Sequence, residues 1–394
     1  MTPPERHTDD LAVWLLALGQ TVAYGCLFYS FPALLVTIEA DTGWSKSALA
    51  LGPTVALVVA ALAAPLAGRL VDRGWGGELL VGSAVVGALG LGGVAMAEGQ
   101  AGWLLAWAVT GIAQGAGLYD ACFAFLTRRL GRDARAAIIR VTLVAGFAST
   151  LTYPGGAWLG LTLGWRSAFW IFAAIQLLGG GLTNLWGVVR LRRQVRAGAR
   201  AYEDPPGMLE RAMAQRQFWQ LGVIFGLIYM THGMLITFAI PLFQERGLAH
   251  GLAVLAASMI GPAQVAGRVV FMAGGARLGL IPATRTVIIG MALGICLLAF
   301  AGLAPGLIFA FALVQGATIG VISILRPVLI ADVLGHEGFG AISGALAVAV
   351  LTGAAGAPWI GALIFDGGGT MALVGTVLAM TLIASALAMV LRRS

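Results

Sequence analysis

Twelve runs of about twenty mostly apolar residues follow one another along this chain, and nothing else narrows its fold so far. With a window of about 19–20 residues, the runs fall at 12–37, 47–71, 79–97, 102–127, 136–160, 167–189, 217–243, 251–275, 284–303, 306–331, 338–364 and 370–391. The breaks between them carry turn residues and charges, as in "EADTGWSK", "DRGWGGE", "RRLGRDAR", "GLAPG" and "FDGGG". A run of that length crosses a bilayer as a helix, because lipid forces each backbone polar group to find its partner within the segment. The expectation is an all-α membrane protein.

Composition agrees. Charged residues make up 10% of the chain and hydrophobic ones 59%, with a mean hydropathy of +0.91. A soluble domain carries about 25% charged residues, so this chain lacks the polar surface to cover a water-soluble globule. The 57 glycines follow no collagen period and suit helices that pack closely in lipid. Cys26, Cys122 and Cys296 lie far apart in apolar runs, which gives neither a disulfide framework nor a metal spacing. The opening "MTPPERHTDD" is polar, and the apolar run after it is too long for a signal peptide and lacks an A-x-A site. It reads as a retained first span.

Orientation follows from the cations. With the N-terminus inside, the inner segments hold Arg6, Arg69, Arg73, Arg128, Arg129, Arg132, Arg135 and Arg140. They also hold Arg190, Arg192, Arg193, Arg196, Arg200, Arg211, Arg216, Arg277, Arg285, Arg392 and Arg393. The outer loops hold only Lys46, Arg166 and Arg246. Both termini are therefore expected in the cytoplasm, at a cell inner membrane. The net charge of +7 faces anionic lipid headgroups, so nucleic acid need not be invoked.

The longest polar stretch divides the chain into residues 1–189, a cytoplasmic central loop at 190–216, and residues 217–394, with six spans on either side. The halves echo each other. "PLAGRL" at 65–70 returns as "QVAGRV" at 264–269, "QGAGLY" at 114–119 as "QGATIG" at 315–320, and Pro154 matches Pro358. Two six-helix pseudo-symmetric halves are the layout of one large transporter class, with the solute site at mid-membrane between repeats.

Few ionisable groups lie within the spans, where each costs roughly 2.5–3.5 kcal/mol on insertion scales. Arg268 is followed by "VVFMAGGA" before Arg277, about two turns deeper than a loop residue. Gly261, Gln264 and Arg268 recur at helical spacing as one polar stripe. A guanidinium there grips a carboxylate through two parallel hydrogen bonds. The bland alternative is that it snorkels to the headgroups or pins a neighbouring helix. Arg326, with Ser323 one turn earlier, is a second anion contact or another snorkelling cation. Asp120 in "GLYDACF" is the one acid within a span core, either a proton carrier or a fixed partner of Arg268, Arg326 or Arg140. Tyr24 and Gln20, with Tyr29 and Ser30 on a neighbouring strip, are candidates to line the pathway. In "YMTHGM", Met230 and Met234 share a face, while His232 lies about 200° round from Met230, so the three cannot hold one ion on a regular helix. The thioethers suit Cu(I) or plain packing, and His232 alone is a candidate solute or proton contact.

"GRLVDRGWGG" resembles the G-x-L-x-D-R signature of the major facilitator superfamily through Gly68, Leu70, Asp72 and Arg73. The resemblance implies a gating role for Gly68, Asp72 and Arg73, although Gly76 and Gly77 stand where basic residues usually follow. "GFASTLTYPGGAWLG" resembles the glycine–proline hinge of the fifth span. Within the family, "YSFPALLVTIEADTGWSKSALA" is similar to bacterial monocarboxylate-transporter-like proteins. "YDACFAFLTRRLG" and "IGPAQVAGR" are similar to the CcoA-like copper and riboflavin importers. Arg268 then corresponds to an arginine in a D-x-x-x-R pattern, with Gln264 in place of the acid. Met230 and Met234 resemble an M-x-x-x-M copper motif, but the accompanying H-x-x-x-M of the eighth span is absent.

The function expected is secondary active transport by alternating access, with no cofactor and with the chain acting as a monomer. No Walker motif occurs, so the energy must come from a solute gradient or from a gradient of protons or another ion. Two or three central cations against one acid favour an organic anion or a flavin-like compound, and copper is the rival cargo. A sensor needs an appended module, and an intramembrane enzyme needs paired acids, a metal set or a nucleophile–base pair. The scattered His7, His232, His250 and His336 supply none of these.

Overall fold

The computed structural model describes residues 10–131, 134–193, 207–274, 279–335 and 339–391. Arg6, Arg132, Arg196, Arg200, Arg277, Arg392 and Arg393, named above for orientation, lie outside them, as do His7, His336 and the side chains of Asp72 and Arg135. The described residues are helical and contain no strand.

Ten helices among them are long and apolar enough to cross a membrane. The difference from twelve has two local causes. Spans eleven and twelve form one helical run, Phe339–Val390, interrupted at Gly369, whose φ of 64° suits a residue without a Cβ. Span four is cut at Leu118 into Gln100–Gly117 and Tyr119–Leu130, neither long and apolar enough alone. Span one is Asp10–Tyr24, a wider π turn at Gly25–Tyr29, and Ser30–Thr42. Span five breaks between Ala134–Ala145 and Ala148–Leu163. Spans seven to ten are Arg216–Thr237 with Ala239–Glu245, His250–Gly274, Leu280–Phe300 and Leu307–Leu334. Leucines and valines cover the outward faces, with Leu62, Leu105 and Val270 each more than two-thirds exposed, at 75%, 69% and 70%. Such apolar cover suits lipid and not water.

The chain forms two compact units. One comprises residues 1–34 and 55–201, the other residues 35–54 and 202–394. In the first, Phe31, Trp103, Trp107, Trp165 and Phe169 interlock edge to face at 5.8–6.3 Å as a fully buried core. In the second, Phe218, Leu221, Phe225, Ile228, Ile322 and Leu329 form one apolar cluster. Residues 35–54 belong to this unit. The Ser47 N–H donates to Asp366 at 2.9 Å, and the Lys46 ammonium lies 5.0 Å from the Phe365 ring centre.

The internal repeat has a counterpart in the packing. A Cβ on Gly115 would meet Ala60 O at 2.7 Å and Ala63 Cβ at 3.0 Å. A Cβ on Gly316 would meet Ile260 O at 2.5 Å and Ala263 Cβ at 2.6 Å. Each glycine follows the glutamine that opens "QGAGLY" or "QGATIG", and each lets two helices touch backbone to backbone.

The three cations expected outside are all engaged. Arg166 donates to Ala97 O at 3.2 Å and stacks on Trp165, while Arg246 donates to Ala299 O at 3.1 Å. Both satisfy carbonyls left open at the C-terminal ends of spans three and nine. Lys46 pairs with Glu39 at 2.6 Å.

Candidate functional site

In the second unit the polar stripe of span eight turns inward. Gln264 and Arg268 are buried, at 9% and 8% exposure, whereas Arg69, its match in the repeat, is exposed. Close helix packing explains the difference. A Cβ on Gly267 would meet Ala317 O at 2.4 Å, and one on Gly320 would meet Gln264 O at 2.3 Å. Span ten therefore lies against the stripe, and Arg268 Nε donates to Gly320 O at 3.3 Å. Ser323 Oγ donates to the same carbonyl at 2.7 Å. One nitrogen of Arg268 thus braces two spans. Arg326 is half-buried, its guanidinium 5.5 Å from the Tyr229 ring centre, a cation–π distance.

The methionines separate. Met234 is fully buried, and a Cβ on Gly361 would come within 3.0 Å of its Cγ, so it fills a contact between spans seven and eleven. Met230 is half-buried. His232 Nδ1 lies 3.5 Å from Gln315 Nε2, at the outer limit of a hydrogen bond. The described residues contain no group of three or more His, Cys, Asp or Glu able to hold a metal.

In the first unit, two buried glutamines brace spans one and four reciprocally. Gln20 Nε2 on span one donates to Gly117 O, and Gln114 Nε2 on span four donates to Leu27 O, both at 2.7 Å. Each accepting carbonyl lies at a helix irregularity, the π turn at Gly25–Tyr29 or the break at Leu118. There the regular i to i−4 ladder is interrupted and side-chain amides supply donors. Gln20 is therefore a brace between spans one and four. Ser30 likewise turns to its own helix, donating to Cys26 O at 2.6 Å.

Between the two braces, the Tyr24 and Tyr119 rings lie 4.4 Å apart. Tyr119 stacks on Phe123 at 4.8 Å, and the run continues through Phe28 and Tyr29 to Tyr153 at 6.3, 5.1 and 6.0 Å. Asp120 is exposed in the first turn of the helix that starts at Tyr119, and lies within electrostatic reach of Tyr24. An unbroken fourth span would have held it mid-helix. The possible partner Arg140 is ion-paired with Asp10.

The signature after span two forms a π turn, Val71–Trp75, in which Gly74 has a φ of 99°. Gly68 has open space around it and Arg73 is exposed. Gly76 and Gly77 are tightly enclosed. A Cβ would meet Phe125 at 3.0 Å at the first and Val188 at 2.4 Å at the second, so neither position has room for a basic side chain. Arg192, at the end of the helix Gly181–Arg193 that carries span six past its expected limit, reaches this corner instead and pairs with Glu78.

The sequence singles out neither Gln114, Gln315 nor Phe123, and at helical spacing it turns Tyr119 about 100° from Asp120. The two glutamines were visible as the first letters of the repeat, and Tyr119 as the neighbour of Asp120.

Known proteins place this architecture in a class. A family model described as Major Facilitator Superfamily matches residues 16–304. A relative named as an MFS-type efflux pump, from Mycolicibacterium smegmatis, is 30% identical over 267 residues, which cover 64% of this chain and 60% of that protein. The chain thus matches about three fifths of that relative's length. A solved bacterial homologue of the human lysosomal transporter Spinster, inward-facing and occupied, is 16% identical with a TM-score of 0.69, covering 99% of this chain and 97% of that one. A D-xylose–proton symporter is 15% identical with a TM-score of 0.70, covering 96% and 97%. These two likenesses are of fold. The chain belongs to the Major Facilitator Superfamily, a family of membrane transporters and not of enzymes.

Proposed function

We propose that the chain is a secondary active transporter that moves a small organic solute, an organic anion or flavin-like compound, by alternating access. The observation that carries this is Arg268. A guanidinium buried in a membrane span, one turn from Gln264 and oriented by Gly320 O, is the chemistry that selects a planar anion. Arg326, Tyr24 and His232 are the further solute contacts, and Asp120 is the proton-coupling group. Gly68, Asp72 and Arg73 gate the inner face. The chain works as a monomer in the inner membrane, in contact with anionic lipid and with both termini in the cytoplasm. Family membership supports transport as such. The relative's name speaks of efflux and one structural neighbour's of proton symport, and each fixes direction or coupling for that protein alone.

Uptake into proteoliposomes tests the reading, comparing short carboxylates, riboflavin and Cu(I) with and without a proton gradient. Arg268→Ala is expected to abolish transport of the anion, and Arg268→Lys to recover little of it, because an ammonium lacks the bidentate fork. Asp120→Asn is expected to remove the proton dependence. Full transport by Arg268→Ala overturns the proposal. So does copper-specific uptake that vanishes in Met230→Leu/Met234→Leu, which would restore the copper reading.

A further inference from the structure

Four of the chain's six tyrosines lie in one run of rings in the first unit. Tyrosines on a lipid-facing surface belong at the membrane interface. Tyr24 instead lies midway along a span that runs from Asp10 to Thr42, and Tyr119 starts a helix inside span four. Two features separate this run from ordinary core packing. The first is exposure. The tryptophan cluster of the same unit is fully buried, whereas Tyr24, Phe28, Tyr29, Tyr119 and Phe123 all keep part of their surface open. The second is charge. A carboxylate, Asp120, is exposed one residue after Tyr119 and within electrostatic reach of Tyr24, in a helix turn that the break at Leu118 separates from the preceding helix. The glutamine braces on either side hold the pair in register.

Electron-rich ring faces next to a carboxylate match one kind of ligand group, an aromatic ring carrying a positive or hydrogen-bond-donating nitrogen. The ring stacks on tyrosine, and the nitrogen meets both the aromatic quadrupole and the carboxylate. We infer that Tyr24, Tyr119 and Phe123, with Asp120, recognise an aromatic amine group of the transported solute. The inference rests on the reading of the chain as a transporter of a small organic solute. It deepens that reading by naming the solute class as one that carries an aromatic ring with a basic or hydrogen-bond-donating nitrogen. Asp120 then touches cargo as well as serving proton coupling.

Calorimetric binding to the full-length protein in detergent tests this with tryptamine, indole-3-acetate and cyclohexylethylamine. Tryptamine is expected to bind and cyclohexylethylamine to fail. Tyr119→Leu is expected to weaken tryptamine about tenfold, the usual loss for one stacked ring, and Tyr119→Phe to retain it, which separates lost stacking from misfolding. Asp120→Asn is expected to weaken tryptamine about tenfold and leave indole-3-acetate unchanged. Equal binding of the aromatic and alicyclic amines overturns the inference, as does an Asp120→Asn variant that binds tryptamine undiminished, or no binding of tryptamine at all. Arg268→Ala reports separately: loss of indole-3-acetate alone concerns the anion site, and its retention sinks that assignment without touching this one.

Discussion

Gln114 and Gln315 show how one residue type takes two roles in a repeat. In the first unit the amide finds a carbonyl, Leu27 O; in the second it meets a ring nitrogen of His232 at the limit of contact. Removing Gln114 strands Leu27 O in a dry interior. Gln114→Leu is expected to cost about 1–3 kcal/mol, seen as a lower melting temperature in detergent, whereas Gln315→Leu, with little bonding to lose, is expected to cost less. Equal losses would mean that the brace contributes nothing beyond packing. Residue identity alone did not reveal this pairing. The amide letters are plain in the sequence, but their partners are backbone carbonyls on other spans, and no periodicity marks those. Arg268 was easier to find, because a charge in an apolar run stands out wherever it points.

The spans themselves were legible. Hydropathy reads burial in lipid, and eleven of the twelve expected spans survive, nine as separate helices and two within one merged run, with span four the exception among the described residues. The break at Leu118 was not legible, because the Gln20 side chain supplies a donor to Gly117 O there without changing mean hydropathy, whereas the break between Ala145 and Ala148 falls in the stretch that resembles a glycine–proline hinge. Glycine contacts give a test at this scale. Gly316→Ala places a methyl about where Ile260 O already is, at 2.5 Å, and overpacking of that kind costs about 1–3 kcal/mol. Gly155, with nothing within 4 Å, is expected to accept alanine with no loss, since glycine is the poorer helix former by about 1 kcal/mol. A thermal-shift comparison of the two variants decides the point. At the end of span twelve, Arg285 donates to Ala388 O, Met389 O and Leu391 O at 2.9, 2.8 and 2.9 Å. Arg285→Ala is expected to speed hydrogen exchange in that last turn while leaving span eight unchanged.

For the whole molecule, charge asymmetry sets the expected orientation. Its exceptions now have a physical explanation, since Lys46, Arg166 and Arg246 each satisfy a carboxylate or an open helix end. A fluorescent reporter fused after Ser394 is expected to light up in the cytoplasm, and a phosphatase fused there to stay inactive; the opposite pattern overturns the orientation. Two-fold internal likeness was readable from a few matching letters. The unequal chemistry of the units was less so, because it depends on which side chains a helix break exposes.

Where Gly316 meets Ile260 and Gly115 meets Ala60, no side chain stands between two main chains. A layer of rotamers gives under load, but bare peptide planes do not. Those helix couples should therefore travel as single beams, and any flexing within a unit must be taken up at the π turn of span one and the interrupted fourth and fifth spans.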